Sequence, residues 1–106
     1  EIIVKGDAKN YTGFRMYEGK ITIEGCANDY TGCGMKSGEM IVLGDSNYYT
    51  GYRMRRGKLT VYGSTNKSTG EWMEGGKLIV KGKIRGLGRH IIKGIIMQGN
   101  KTVVKR

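Results

Sequence analysis

The chain contains no proline, one histidine and one tryptophan, and nowhere does it hold the ~18 consecutive apolar residues that a helical membrane span needs. The segment Glu1–Asn10 lacks the basic-then-apolar layout of a secretory signal, so a cytoplasmic location and no membrane partner are expected. Its two cysteines, Cys26 and Cys33, are too few for a disulfide framework. Apolar residues make up 38%, little for a domain with one compact core. Nineteen glycines without any proline leave two readings, a flexible linker or a repeat whose corners need positive φ.

The glycine spacing decides between them. Gly6, Gly25, Gly44, Gly63 and Gly82 recur every 19 residues. Each of the first four opens a copy of one pattern, with glycine again at Gly13, Gly32, Gly51 and Gly70, then Met16, Met35, Met54 and Met73, then Gly19, Gly38, Gly57 and Gly76. An alternating apolar triplet closes each copy: Ile21/Ile23, Met40/Val42, Leu59/Val61 and Leu78/Val80. Ile2/Val4 supplies the same triplet ahead of Gly6. Alternation over three to five residues reads as a half-buried strand. Glycine at every second turn excludes a helix, at about 1 kcal/mol each, and 19 residues are too few for a strand, a crossover helix and turns.

The expected fold is therefore all-β: a single-stranded, right-handed parallel β-helix, a solenoid of 19-residue coils. Stacked coils turn repeat positions into ladders. The methionines and the triplets should fill the core, with the middle triplet residue, such as Thr60, facing out. Tyr11, Tyr30 and Tyr49 should form an aromatic column, and Thr12, Thr31, Thr50 and Thr69 repeat beside it. Asp7, Asp29 and Asp45 are expected to cap turns beside the repeat glycines. Residues 1–82 carry the coils. Residues 83–106 break the period and read as a degenerate basic carboxy-terminal cap with strands of its own.

The stretches GDAKNYTGFRMYEGKITIEG, GCANDYTGCGMKSGEMIVLG and GEWMEGGKLIVKGKIRGLG resemble the GXGXG-repeat subunit of formylmethanofuran dehydrogenase, a family with a β-helical fold. The related carboxy-terminal GXGXG domain of the large glutamate synthase polypeptide shares the architecture with less regular repeats. The first resemblance implies a non-catalytic structural or interaction subunit of an oxidoreductase complex in archaeal one-carbon metabolism and methanogenesis, with molybdopterin and metal chemistry in other subunits and no cofactor in this chain. The second implies a separately encoded glutamate synthase-like domain.

Chemistry-bearing motifs are sparse. Cys26 has Asp7, Asp45 and Ser64 as repeat equivalents and Cys33 has Phe14, Tyr52 and Glu71; a metal site needs more suitable ligands close by, and the two read as unrelated thiols. The single histidine, His90, has no carboxylate between residues 75 and 106. Gly86-Leu87-Gly88 lacks the third glycine and the strand-to-helix setting of a dinucleotide site. Four methionines at one repeat position are core filler before they are soft-metal ligands. No catalytic, cofactor-binding or metal-binding residue is expected.

Charge supplies the remaining signal. The net charge is +10, of which residues 81–106 contribute +8 with no acidic residue. Partner contact is expected through Lys83, Arg85, Arg89, Lys93, Lys101, Lys105 and Arg106, and at the amino end through Ile3. The partners consistent with this are other protein subunits, a second copy docked through a coil end, or nucleic acid on the basic tail. Arg53, Arg55 and Arg56, with Tyr48, Tyr49 and Tyr52 nearby, read as a solvated coil corner before they read as a single-strand binding surface.

Overall fold

The computed structural model describes residues 1–106. Seven strands form one sheet in chain order: β1 Ile2–Val4, β2 Lys20–Ile23, β3 Glu39–Val42, β4 Lys58–Val61, β5 Glu74–Val80, β6 Lys93–Gln98 and β7 Lys101–Lys105. There is no helix. β1 to β6 are parallel, and through β5 each strand lies in register with the residue 19 positions earlier, as in Ile21↔Met40 and Val42↔Val61. The chain is a β-solenoid of about five coils.

The apolar triplets fix that register. Residues 59 and 61 point to one side of the strand, so Leu59 and Val61 enter the core with Met40, Val42, Leu78 and Val80, all with no accessible surface. Slipping the register by one residue would turn every one of these side chains to solvent. Thr60 lies on the opposite face, yet it is only 7% accessible. Its in-register neighbours Ile41 and Ile79 flank it on the outer surface, and Lys58 shares that face of its own strand. Facing out of a ladder is thus not the same as facing water.

On the opposite wall, Met35, Met54 and Met73 are fully buried and Met16 is half-buried. Each methionine lies over a glycine of the following coil: a Cβ on Gly57 or Gly76 would meet the Cε of Met35 or Met54 at 3.1 Å. The same Cβ on Gly57 would meet the carbonyl oxygen of Gly38 at 2.7 Å, so the coils stack too closely there for any side chain.

The third wall is polar inside. Thr31, Thr50, Thr65 and Thr69 have no accessible surface. The hydroxyls of Thr31, Thr50 and Thr69 donate to the carbonyls of Asn28, Asn47 and Asn66, at 3.0, 3.0 and 2.7 Å. Ser46 pairs with Thr50 at 2.7 Å, and no buried side-chain polar atom is left without a partner.

The acidic corner residues act between coils rather than within their own turns. Asp7 Oδ1 accepts from the amide of Cys26 at 2.7 Å and Asp45 Oδ1 from that of Ser64 at 2.8 Å. Cys26 Sγ and Ser64 Oγ fill the same role, accepting from the amides of Asp45 and Lys83. Asn10 and Asp29 repeat the arrangement one corner later, accepting from the amides of Asp29 and Tyr48.

Residues after 82 continue the stack before closing it. β6 adds parallel to β5, with Leu78↔Ile96 one residue short of the regular period, and Ile96 and Ile91 extend the core. β7 then turns back antiparallel on β6, with Val103 and Val104 packed against the core.

Candidate functional site

Two corners of the coil hold positive φ with few glycines. Tyr11, Tyr30, Tyr49 and Ser68 occupy one, with φ from 59 to 64°. Arg15, Gly34, Arg53 and Trp72 occupy the other, with φ from 55 to 65°. Left-handed backbone is unfavourable for bulky side chains, but the coil path imposes it and aims these residues outward. Tyr11, Tyr30 and Tyr49 stack at 4.8 Å, the coil spacing itself, with rings within 5° of parallel. Tyr52 meets Tyr30 and Tyr49 edge-on, as Phe14 meets Tyr11. Burial and the neighbouring phenols of Tyr49 and Tyr11 push the Tyr30 hydroxyl above its ordinary pKa.

Next to the aromatics lies a basic groove. Arg15 and Arg53 stand over the rings of Phe14 and Tyr52, at 5.6 and 5.7 Å. Between them Gly34 leaves a notch of about 130 Å³, lined by Arg15, Gly34, Lys36, Arg53 and Arg55. A second hollow of about 330 Å³ adjoins it, lined by Tyr17, Lys36, Arg55 and Arg56. The two hollows share Lys36 and Arg55, so five cations from three successive coils border the pair. Glu74, 3.6 Å from Arg55, is the carboxylate paired with one of them. Beneath the arginines, Cys33 is buried; burial raises its thiol pKa, while Arg53 and Arg15 pull it down.

A third concavity, about 530 Å³, opens at the amino-terminal coil. Ile2, Tyr11, Phe14, Met16, Tyr17 and Ile21 line it. Ile2 occupies a core position of the ladder but is 59% exposed, because no coil covers it within residues 1–106. Ile3, on the outer face of β1, is also exposed.

The carboxy-terminal cations lie outside all three concavities. Lys83, Arg85, Arg89, Lys93, Lys101, Lys105 and Arg106 are all exposed. Arg106 is turned back on its own fold, donating to the carbonyl of Ile91 at 2.6 Å.

His90 does have a carboxylate neighbour, from the preceding coil. Glu71 Oε1 accepts from the His90 amide at 2.7 Å and lies 3.4 Å from its Nδ1, while the imidazole stacks on Trp72 at 4.5 Å. The signal was the 19-residue separation of Glu71 and His90. The imidazole is exposed while the Glu71 carboxylate is largely covered, and the pair lines no concavity. Cys26 and Cys33 are not bonded to one another, and no group of three or more His, Cys, Asp or Glu side chains lies close enough to hold a metal ion. No family model, curated protein or solved structure matches the chain.

Proposed function

We propose that this β-solenoid is a structural, partner-docking module, in the sense implied by its resemblance to the GXGXG-repeat subunit of formylmethanofuran dehydrogenase, and that it supports an assembly without chemistry of its own. The observation that carries the reading is the amino-terminal coil. β1 is paired along one edge only within residues 1–106, and beside that edge the ladder ends at Ile2 and Met16 open into an apolar cleft. An unpaired edge flanked by exposed apolar side chains is a template for another strand. Any protein offering a short strand and an apolar ridge can extend the stack from there.

In the isolated chain the available occupant of that edge is a second copy, docked head to head about a two-fold axis. Light scattering over a concentration series tests this. The expected result is a mass rising from 11.7 kDa toward the dimer, with an Ile3→Lys variant held at the monomer because a charge blunts the edge. A monomer at every concentration, indistinguishable from the variant, would remove the support for docking at this end.

A further inference from the structure

We infer that the groove bordered by Arg15, Lys36, Arg53, Arg55 and Arg56 binds single-stranded nucleic acid, with the cations on phosphates and the flanking aromatic side chains under the bases. This goes beyond the docking role: the groove shares the Phe14 and Tyr17 rim with the amino-terminal cleft, but none of its cations lines that cleft.

Three observations combine. First, the cations converge by stacking. Arg15 and Arg53 are 38 residues apart in sequence, yet they occupy one corner of the coil two layers apart, with the Gly34 notch between them. Lys36 and Arg55 share the neighbouring corner position, and Arg56 borders the adjoining hollow. Second, these charges are little neutralised. Glu74 pairs with Arg55, and Glu18 lies next to Tyr17 at the first coil; the other four cations have no salt bridge. Guanidinium groups with open donors match phosphate oxygens. Third, aromatic surface lies at both ends of the cationic column. Tyr17 is 75% exposed on the groove wall, and Phe14 is half exposed beside Arg15. At the far end, after Arg53, Trp72 takes the corner position and is 39% exposed, with one face already covered by the His90 ring. A phosphate-binding notch alone would not need exposed aromatics. A positively charged groove interleaved with aromatic platforms is how proteins hold single strands without reading sequence.

The dimensions agree. From the first coil to the fourth is three layers, about 14 Å at the ~4.8 Å spacing of paired strands. At the stacked rise of about 3.4 Å per nucleotide found along one strand of a duplex this spans roughly four nucleotides, the small end of known single-strand sites, and fewer where the backbone is extended.

The test is fluorescence anisotropy with a labelled oligothymidylate of about twelve nucleotides, long enough to fill such a site. With four uncommitted cations on phosphates, log K against log salt should fall with a slope of about −3, so affinity drops about fiftyfold between 50 and 200 mM salt. Arg53→Asn keeps a residue tolerant of positive φ, and Lys36→Glu changes an exposed side chain on ordinary backbone. Each should weaken binding about tenfold and flatten the slope, with thermal melts unchanged. Tyr17→Ala should cost about fivefold or more through lost stacking. Lys101→Gln with Lys105→Gln should change affinity less than about twofold. Three results would each overturn the inference: no binding at low salt, binding that follows the tail variant and ignores the groove variants, or tighter binding of an acidic peptide than of the oligonucleotide. Displacement by inorganic tripolyphosphate at equal phosphate concentration, with Tyr17→Ala neutral, would reduce the groove to a phosphate site and overturn the nucleic-acid reading. Should Arg53→Asn fail to fold, Lys36→Glu and Tyr17→Ala still decide the question.

Discussion

Truncating Met54 probes how the solenoid is held together. Its side chain has no accessible surface, and it lies over two glycines: Gly51 of its own coil, where a Cβ would sit 4.0 Å from Sδ, and Gly76 of the next, where a Cβ would sit 3.1 Å from Cε. Met54→Ala leaves a void that these surroundings cannot fill. The glycines have no side chains to move in, and Met35 and Met73 lie over glycines of their own, Gly57 and Gly94. Buried Met→Ala changes cost about 2–5 kcal/mol, with the larger values where the site cannot collapse. The loss at Met54 should therefore fall in the upper part, about 3–5 kcal/mol, a large share of the ~5–15 kcal/mol that holds a domain folded. Met16 is half-buried and borders the open amino-terminal cleft, so Met16→Ala should cost about 1–2 kcal/mol, less than a fully buried truncation. Urea melts read this directly, followed both by far-ultraviolet circular dichroism and by the fluorescence of the single tryptophan, Trp72. Coincidence of the two signals checks that the coils unfold together rather than unravelling from one end. Equal, small losses at both positions would refute the claim that the methionine ladder is the inner wall.

Other expected outcomes follow from single features. Gly44→Ala places a Cβ 2.8 Å from the Gly25 carbonyl oxygen, so it should abolish stable folding in thermal melts, whereas Gly6→Ala meets nothing within 4 Å and should cost only the strain of φ 109°, about 1–2 kcal/mol. Thr50→Val removes the hydroxyl bonded to Ser46 and to the Asn47 carbonyl inside the core and should cost about 1–3 kcal/mol in urea. Burial pushes the Glu71 carboxyl up, but the amides of His90 and Arg89, the His90 imidazole and the Trp72 amide outweigh it, and its pKa is lowered below 4.5. A depressed carboxylate contributes stability that is present above the unfolded-state pKa and lost as pH falls through the folded one. The midpoint for urea unfolding should therefore drop below about pH 4.5 in the native chain, and the drop should be smaller in Glu71→Gln; equal drops in the two chains would exclude Glu71 as its source.

Strand positions were legible in the sequence because burial there has period two: Ile21/Ile23, Met40/Val42, Leu59/Val61 and Leu78/Val80 all lie on strands and point inward or toward the core. The corners were less so. Glycine announces a corner, but Tyr30, Arg53 and Trp72 hold positive φ against their own preference, because layer-to-layer hydrogen bonds such as Tyr30 N–H to Tyr48 and Arg53 N–H to Glu71 set the path of the chain. The threonines could be counted but not aimed. Their hydroxyls are satisfied by carbonyls three residues earlier, which frees the side chains to sit inside. The aspartates were visible as corner residues, yet their partners are amides 19 positions away, invisible until coils are stacked.

The groove was illegible for the same reason, and the repeat explains why its charges call for a cause outside the fold. Inner positions are nearly invariant from coil to coil: methionine four times, threonine four times. Packing at a fixed layer spacing demands this, since each ladder member must fill the same space as its neighbours. Outer positions are released from that demand, so what they carry is not explained by folding. At the corner of Arg15, Gly34, Arg53 and Trp72, and at the next one of Tyr17, Lys36, Arg55 and Glu74, no residue type occurs at every layer. Yet in these two columns the variation is not random in charge: cations concentrate in the first three coils, a glycine opens a notch between two of them, and the carboxylate comes at the fourth, while Glu18 of the first coil lies in the adjoining column of Arg56. Alternating charges up a ladder would favour the fold, as Lys20, Glu39 and Lys58 do on the β-face before Lys77 breaks the alternation. That this corner gathers five cations against one paired carboxylate, Glu74 on Arg55, is what an anionic ligand would account for.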